Sequence, residues 1–356
     1  MRLRISLCLV SALLCPLLLS SSAQGDYEPL ASGSTRLALD KRFVSFLREA
    51  GVTLTASSGA SKRGSAIRLP VNGGQLDPLD GRGEVAHRGS IVFESGRRKV
   101  PWKRLVVRKK PTPLIAKVGG SQLKVASSRD VSSRRDGFGT KLAARALRLT
   151  AKVATRLNKK LRPEARFEAG QLVGALVSEP EPKLIEVLPS GKASLGLAPA
   201  FLAKLDSRFV SVNPIAPAER QGPTLTFPLA IAGTISPSGG EGTVRTAGAV
   251  ELLQQGAGQI FWQELWVDLG VDVATAEVDL QPAPAFPGKL GRVGVFGAGG
   301  GSVSADRTQR TVSVSNLLVT LQADTARAMN QAFAGGAEVF AAGEAVGSLS
   351  FTAQGQ

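Results

Sequence analysis

Residues 74–91 read GQLDPLDGRGEVAHRGSI, and residues 233–250 read GTISPSGGEGTVRTAGAV. Aligned without a gap, Gly74, Pro78, Gly81, Gly83, Val85 and Gly89 fall on Gly233, Pro237, Gly240, Gly242, Val244 and Gly248. Turn residues and one apolar position coincide while most others differ, as expected when a chain repeats a folding unit. The match extends toward the C-terminus. Trp102, Leu105 and Val107 meet Trp262, Leu265 and Val267; Leu149, Ala151, Asn158 and Leu161 meet Leu321, Ala323, Asn330 and Phe333. The tail Phe167, Ala169, Gly170, Val173, Gly174, Leu176 meets Phe340, Ala342, Gly343, Val346, Gly347, Leu349.

One unit thus spans residues 35–177 and a second spans 193–356. Between them Ser178 to Lys192, with Glu179-Pro180-Glu181-Pro182, reads as a stiff extended linker. Within each unit apolar residues alternate with polar ones over short runs bounded by Gly or Pro, as at Ile91-Phe93, Leu105-Val107, Leu225-Phe227 and Val312-Val314. That period of two predicts antiparallel strands with one face inward. Four times a strand-like pair leads into apolar residues at helical spacing: Leu37-Leu39 into Phe43 and Leu47, Leu147-Leu149 into Val153 and Leu157, Leu195-Leu197 into Phe201 and Leu205, Val319-Leu321 into Ala326 and Met329. Asp40 and Thr150 stand where an N-cap oxygen accepts from free helix amides. The expected fold is β-rich, all-β to α+β: two tandem antiparallel β-sandwich-like domains, each with two short helices.

The N-terminus predicts export. Arg2 and Arg4, an apolar run from Ile5 to Leu19 and the small residues Ser21-Ser22-Ala23 form a signal-peptide pattern over residues 1–23, with 24–34 as a short tail. Cys8 and Cys15 both lie in that segment, so the mature chain has neither a disulfide nor a thiolate metal site. The expected location is extracellular or in the cell envelope.

The net charge of +16 is unevenly spread. Arg97 to Arg166 carries 22 Lys plus Arg against 3 Asp plus Glu, whereas Ala198 to the end carries 9 against 13. A local excess of this size attracts polyanions in a salt-dependent way. Arg97, Arg98, Lys99, Lys103, Arg104, Arg108, Lys109 and Lys110 are the candidate polyanion-binding residues, with Lys141, Arg145, Arg148, Lys152, Arg156, Lys159 and Lys160 further along. Few aromatic residues accompany this charge, so nucleic acid is not the expected partner. Anionic wall polymers, lipid head groups or the acidic second unit are.

Residues that do chemistry are scarce. His87 is the single histidine and Tyr27 the single tyrosine, and no nucleophile elbow surrounds His87. The internal alignment sets Thr246 opposite His87, so no catalytic residue is assigned and the chain is expected not to be an enzyme. No spacing suits a metal site. Glycine-rich 296–301 lacks the lysine of a phosphate loop and reads as a hairpin loop. Trp102 and Trp262, at equivalent positions, point to the core, whereas Trp266 has no such equivalent and is expected to be partly exposed.

Leu76-Asp77-Pro78, the run Gly83-Glu84-Val85-Ala86-His87-Arg88-Gly89-Ser90-Ile91-Val92-Phe93, the strand Leu105-Val106-Val107 and the ending from Leu157-Asn158 to Gly174 resemble the HtaA-like domains of secreted actinobacterial proteins. That family is linked to haem capture in corynebacteria. The resemblance implies a cell-envelope binding protein for haem or another small hydrophobic ligand, with His87, Phe46 and Trp102 as candidate ligand-binding residues. It also implies, for haem-binding members, an iron-ligating tyrosine in the first helix and a histidine after the Gly-to-Phe strand. Here Phe46 stands about where the tyrosine belongs, the histidine's place falls near Gly96, and the second unit offers Ala203-Lys204-Leu205. No cofactor is therefore assigned.

Overall fold

The computed structural model describes residues 27–109, 114–281 and 289–355. The predicted signal peptide and Lys110 lie outside them. In the first unit the elements are β1 (Glu28–Leu39), α1 (Lys41–Glu49), β2 (Thr53–Ser57), β3 (Ser61–Arg63), β4 (Ala66–Leu76), β5 (Gly83–His87), β6 (Ser90–Ser95), β7 (Arg98–Val107), β8 (Leu114–Val118), β9 (Ser121–Ser127), β10 (Asp130–Asp136), β11 (Gly139–Leu149), α2 (Ala151–Leu161) and β12 (Leu172–Pro182). The second follows as β13 (Ile185–Leu197), α3 (Pro199–Ser207), β14 (Val210–Ile215), β15 (Glu219–Gln221), β16 (Thr224–Pro228), β17 (Gly233–Ile235), β18 (Gly242–Arg245), β19 (Ala249–Gln254), β20 (Gly258–Asp268), β21 (Val273–Gln281), β22 (Lys289–Gly299), β23 (Ser302–Asp306), β24 (Thr311–Leu321), α4 (Ala323–Ala334) and β25 (Ala345–Gly355).

Strand order in the first sheet is β2-β6-β7-β5-β4-β1-β12-β11-β9-β8, and β8 also pairs with β7. The two faces of the sandwich are therefore joined into a ring from β7 round to β8, which leaves no free edge along that path. The second sheet repeats this order element for element, β14-β19-β20-β18-β17-β13-β25-β24-β22-β21, with β21 returning to β20. Each ring encloses its own apolar core, one built on Leu37, Ile67, Val85, Trp102 and Leu176, the other on Leu195, Val244, Trp262, Val314 and Leu349. Phe138, at the β10–β11 turn of the first unit, joins the core of the second.

The helices start where the strand pattern changes period. Asp40 Oδ1 accepts from the Arg42 amide at 2.8 Å, capping α1 as its sequence predicts. Thr150 occupies the N-cap of α2 but makes no cap bond. Its hydroxyl donates instead to the Lys124 carbonyl at 2.6 Å, because β9 runs alongside and offers a nearer acceptor. The asparagines that marked the repeat have one shared job. Asn158 donates to the Phe167 carbonyl and accepts from its amide, both at 2.8 Å, and Asn330 does the same to Phe340 at 2.8 Å for both bonds.

The stretch read as a linker is sheet. Ser178 to Pro182 continues β12 against β1, with Thr35 opposite Ser178 and Ser34 opposite Glu179, and β13 begins at Ile185. The alternation simply runs on: Ser178, Pro180 and Pro182 point inward and Glu179 and Glu181 outward. Proline's fixed φ suits an extended strand, and its missing donor is tolerated at a strand end.

Candidate functional site

The period of two on β1 turns Thr35, Leu37 and Leu39 into the ring and Arg36 outward. His87, the last residue of β5, also faces inward and is 5% exposed. Its Nδ1–H donates to the Leu105 carbonyl at 3.1 Å, which fixes the neutral tautomer and leaves Nε2 as an acceptor for the Thr35 hydroxyl at 2.5 Å. Thr35 Oγ1 also lies 2.6 Å from Ser178 Oγ, within hydrogen-bond distance, so a chain of three side chains bridges β12, β1 and β5. Burial pushes the His87 pKa down to about 4, with the Leu105 hydrogen bond opposing that shift. Both ring nitrogens are used, and His87 is an internal polar tie between strands.

Phe46 and Trp102 lie elsewhere and are connected. Phe43 and Leu47 bury one face of α1, while Phe46, half-buried at its margin, has its ring 6.3 Å from that of Phe43 and 5.1 Å from that of Phe167. Phe167 in turn lies 6.1 Å from Phe93, which packs on Trp102 at 4.6 Å. Trp102 is 1% exposed. The candidate trio therefore splits into a buried histidine on one side and an aromatic chain that runs from the α1 surface into the core. Haem iron takes a phenolate, imidazole, thiolate or thioether donor. Phe46 has no donor atom and the imidazole of His87 is spent on internal bonds, so this trio does not fit a ligated haem iron.

The predicted basic stretch is largely absorbed by the fold. Arg98 donates to the Leu161 carbonyl at 3.2 Å and so closes the C-terminus of α2. Lys99 pairs with Glu94 at 3.2 Å, Arg108 pairs with Glu84, and Lys109 donates to the Asp80 carbonyl at 2.5 Å and to Ser133 at 2.9 Å. Among the described residues of this stretch, Arg97, Lys103 and Arg104 stay exposed without a partner.

A second basic cluster escaped the sequence reading. Arg36 on β1 stands directly opposite Arg68 on β4, and Arg68 opposite Ser61 on β3, with Arg63 two residues further along β3. The three arginines are exposed and, with Ser34, Ser61 and Glu179, line a groove of about 560 Å³. They are scattered singly over 33 residues of sequence, where no charge run announces them. The register offers the missing signal. Because Thr35 pairs with Ser178 as Ala193 pairs with Phe351, the counterparts of Arg36, Arg68 and Arg63 are Ser194, Thr226 and Gln221, all uncharged.

In the second unit the outward Trp266 is half-buried between two guanidinium groups, Arg245 at 4.0 Å and Arg292 at 3.7 Å from its ring. These cations are thereby held by the protein itself.

No protein-family model matches the chain, and no curated protein matches it in sequence. Among solved structures the chain is similar to the C-terminal domain of HtaA from Corynebacterium glutamicum, at 16% identity and TM-score 0.36 over 48% of this chain and 98% of that one. The N-terminal domain of the same protein matches at 19% identity and TM-score 0.35, over 47% and 97% of the two chains. The heme binding protein HtaB of that organism matches at 13% identity and TM-score 0.31, over 49% and 95%.

Proposed function

We propose that this chain is an HtaA-like binding protein of the cell envelope, with no catalytic role, whose first unit holds anionic partners. The observation that carries the reading is the contrast between two copies of one scaffold. Strand order repeats throughout, yet exposed unpaired cations gather on the first unit: Arg36, Arg63 and Arg68 around one groove, Arg97, Lys103 and Arg104 along the β6–β7 hairpin. Scaffold positions are kept by packing, whereas exposed charge that pairs with nothing internal adds no stability and is free to serve binding.

Retention of the full mature chain on anionic wall material tests this. It should weaken about tenfold or more between about 50 and 200 mM salt, because exposed charges are screened over a Debye length that shrinks with salt. Absent or salt-insensitive retention would sink the reading. Haem is the ligand named for HtaB, and the side chains here predict a different result for this chain. Titration with hemin should leave the Soret band where free hemin has it. A ligand-type Soret shift that disappears in His87→Ala would show that the imidazole is more accessible than its buried position implies.

A further inference from the structure

Like charges placed directly opposite across two strands disfavour the sheet, and the Arg36–Arg68 pair is such a placement. Nothing among the described residues compensates it. Among the described residues no carboxylate reaches Arg36, Arg63 or Arg68, and the one acidic group on the groove's rim, Glu179, is taken by Lys141. The ladder does not need these side chains either, since Ser194 and Thr226 occupy the same register in the second unit. An unfavourable arrangement that the scaffold can do without is what a binding site looks like before its ligand arrives.

The donor set defines the ligand. Each guanidinium offers a fork of N–H donors and no acceptor, and Ser34 and Ser61 add two hydroxyls, so the groove asks for an anion with several acceptor oxygens around one centre. Phosphate groups fulfil this, with two arginines on adjacent strands close enough to clamp one of them bidentately. Lys62, the neighbour of Arg63 on β3, points to the opposite side of the hairpin and lines a separate depression with Arg48 of α1, so the groove's cations are its own three arginines. No aromatic side chain lines the groove, so bases would find no stacking platform.

We infer that the groove of Arg36, Arg63 and Arg68 is the binding site of a phosphate-bearing polyanion other than nucleic acid. This rests on the reading of the first unit as anion-binding and gives that reading a site and a ligand class. The test uses the full mature chain with linear inorganic polyphosphate as probe, and poly-glutamate and single-stranded DNA as comparisons. The variant Arg36→Ser, Arg63→Gln, Arg68→Thr carries the residues that the second unit places at the same register. It should bind polyphosphate at least tenfold more weakly, and the slope of log affinity against log salt should fall by about 3, roughly one per lost cation. Its melting temperature at low salt should equal or exceed that of the parent, because a like-charge pair has gone, so loss of binding is not loss of fold. Replacing Arg97, Lys103 and Arg104 by serine should weaken binding less than the groove variant does, since those cations lie outside the groove. If that second variant loses binding and the groove variant keeps it, the site is wrong while the anion-binding reading stands. If the parent binds no polyanion, both fall. Equal affinity for poly-glutamate or for single-stranded DNA overturns the ligand class.

Discussion

At one place inside the ring the two units solve the same packing problem in opposite ways. In the first, Thr35, His87 and Ser178 meet through hydrogen bonds across three strands. In the second, the same register holds Ala193, Thr246 and Phe351, and Thr246 donates to the Leu265 carbonyl at 3.1 Å as His87 donates to Leu105. Only that bond to the crossing strand is common. The rest of the space is filled by an imidazole and two hydroxyls in one case and by a phenyl ring in the other, and both are satisfied interiors. The difference teaches that the sole histidine of the chain sits in an interior that its hydrogen bonds satisfy, which directs attention to the outer face.

The largest expected effect probes what the units share. A Cβ on Gly174 would lie 2.0 Å from the Ala38 carbonyl oxygen, and one on Gly347 2.0 Å from that of Gly196. Both glycines let the last strand of a unit close against its first. Gly174→Val and Gly347→Val should each cost more than about 4 kcal/mol and abolish the cooperative melt of the unit concerned, followed by calorimetry or near-ultraviolet circular dichroism. A tolerated substitution at one site and not at the other would show that the two rings close differently.

Next comes the inner trio. Ser178→Phe alone forces a ring into space already held by His87 and strands the Thr35 hydroxyl, an overpacking that should cost about 3 kcal/mol. Adding Thr35→Ala and His87→Thr recreates the second unit's arrangement and should recover more than half of the loss, a strongly non-additive result by chemical denaturation. Additive costs would mean that the two interiors are not interchangeable.

Acid should separate the units as well. His87 has its folded-state pKa depressed to about 4, against an ordinary value of 6.5. Above pH 6.5 the histidine is neutral in both states and contributes nothing to pH dependence. As pH falls below that, the unfolded chain takes up a proton that the folded one refuses, so stability is lost progressively and the loss levels off near pH 4 at about 3 kcal/mol. Subtracting the profile of the triple variant, which lacks the histidine, isolates this slope from that of the carboxylates. Identical profiles would show that His87 titrates normally in the fold.

Much of the fold was legible in the sequence because it depends on features with local signatures: turn glycines, the period of two, and the change to helical spacing after Leu39, Leu149, Leu197 and Leu321. The linker was misread because proline usually marks the end of a strand, and only the partner strand β1 reveals that Pro180 and Pro182 keep the in-out phase. Closure of the ring rests on β7 meeting β8, a pairing decided by the curvature of the whole sheet. The site was least legible. The conspicuous charge run from Arg97 spends Arg98, Lys99, Arg108 and Lys109 on structural contacts, whereas Arg36, Arg63 and Arg68 come from three strands and meet only through register. Charge density along a chain is a poor guide when strands bring together residues dozens of positions apart.

The smallest effect concerns how the first helix of each unit begins. Asp40 closes α1 with a side-chain bond to the Arg42 amide and places a carboxylate at the positive end of the helix. Its counterpart Ala198 precedes α3 with no side-chain cap, and Pro199 at the first turn supplies only a preset φ. The backbone of Ala198 is already extended, at φ −66° and ψ 137°, close to the −64° and 144° of Asp40, so an aspartate there needs no rearrangement to reach the free amides. Ala198→Asp should therefore stabilise the second unit by about 0.5–1 kcal/mol, and Asp40→Ala should destabilise the first by about 1 kcal/mol, both read as opposite shifts in denaturation midpoint. Salt should shrink the charge-dipole part of each shift and leave the hydrogen-bond part, which Ala198→Ser, lacking the charge, measures directly. If Ala198→Asp and Ala198→Ser are both neutral, Pro199 has already fixed the helix start, and the second unit does not need the cap that the first obtains from Asp40.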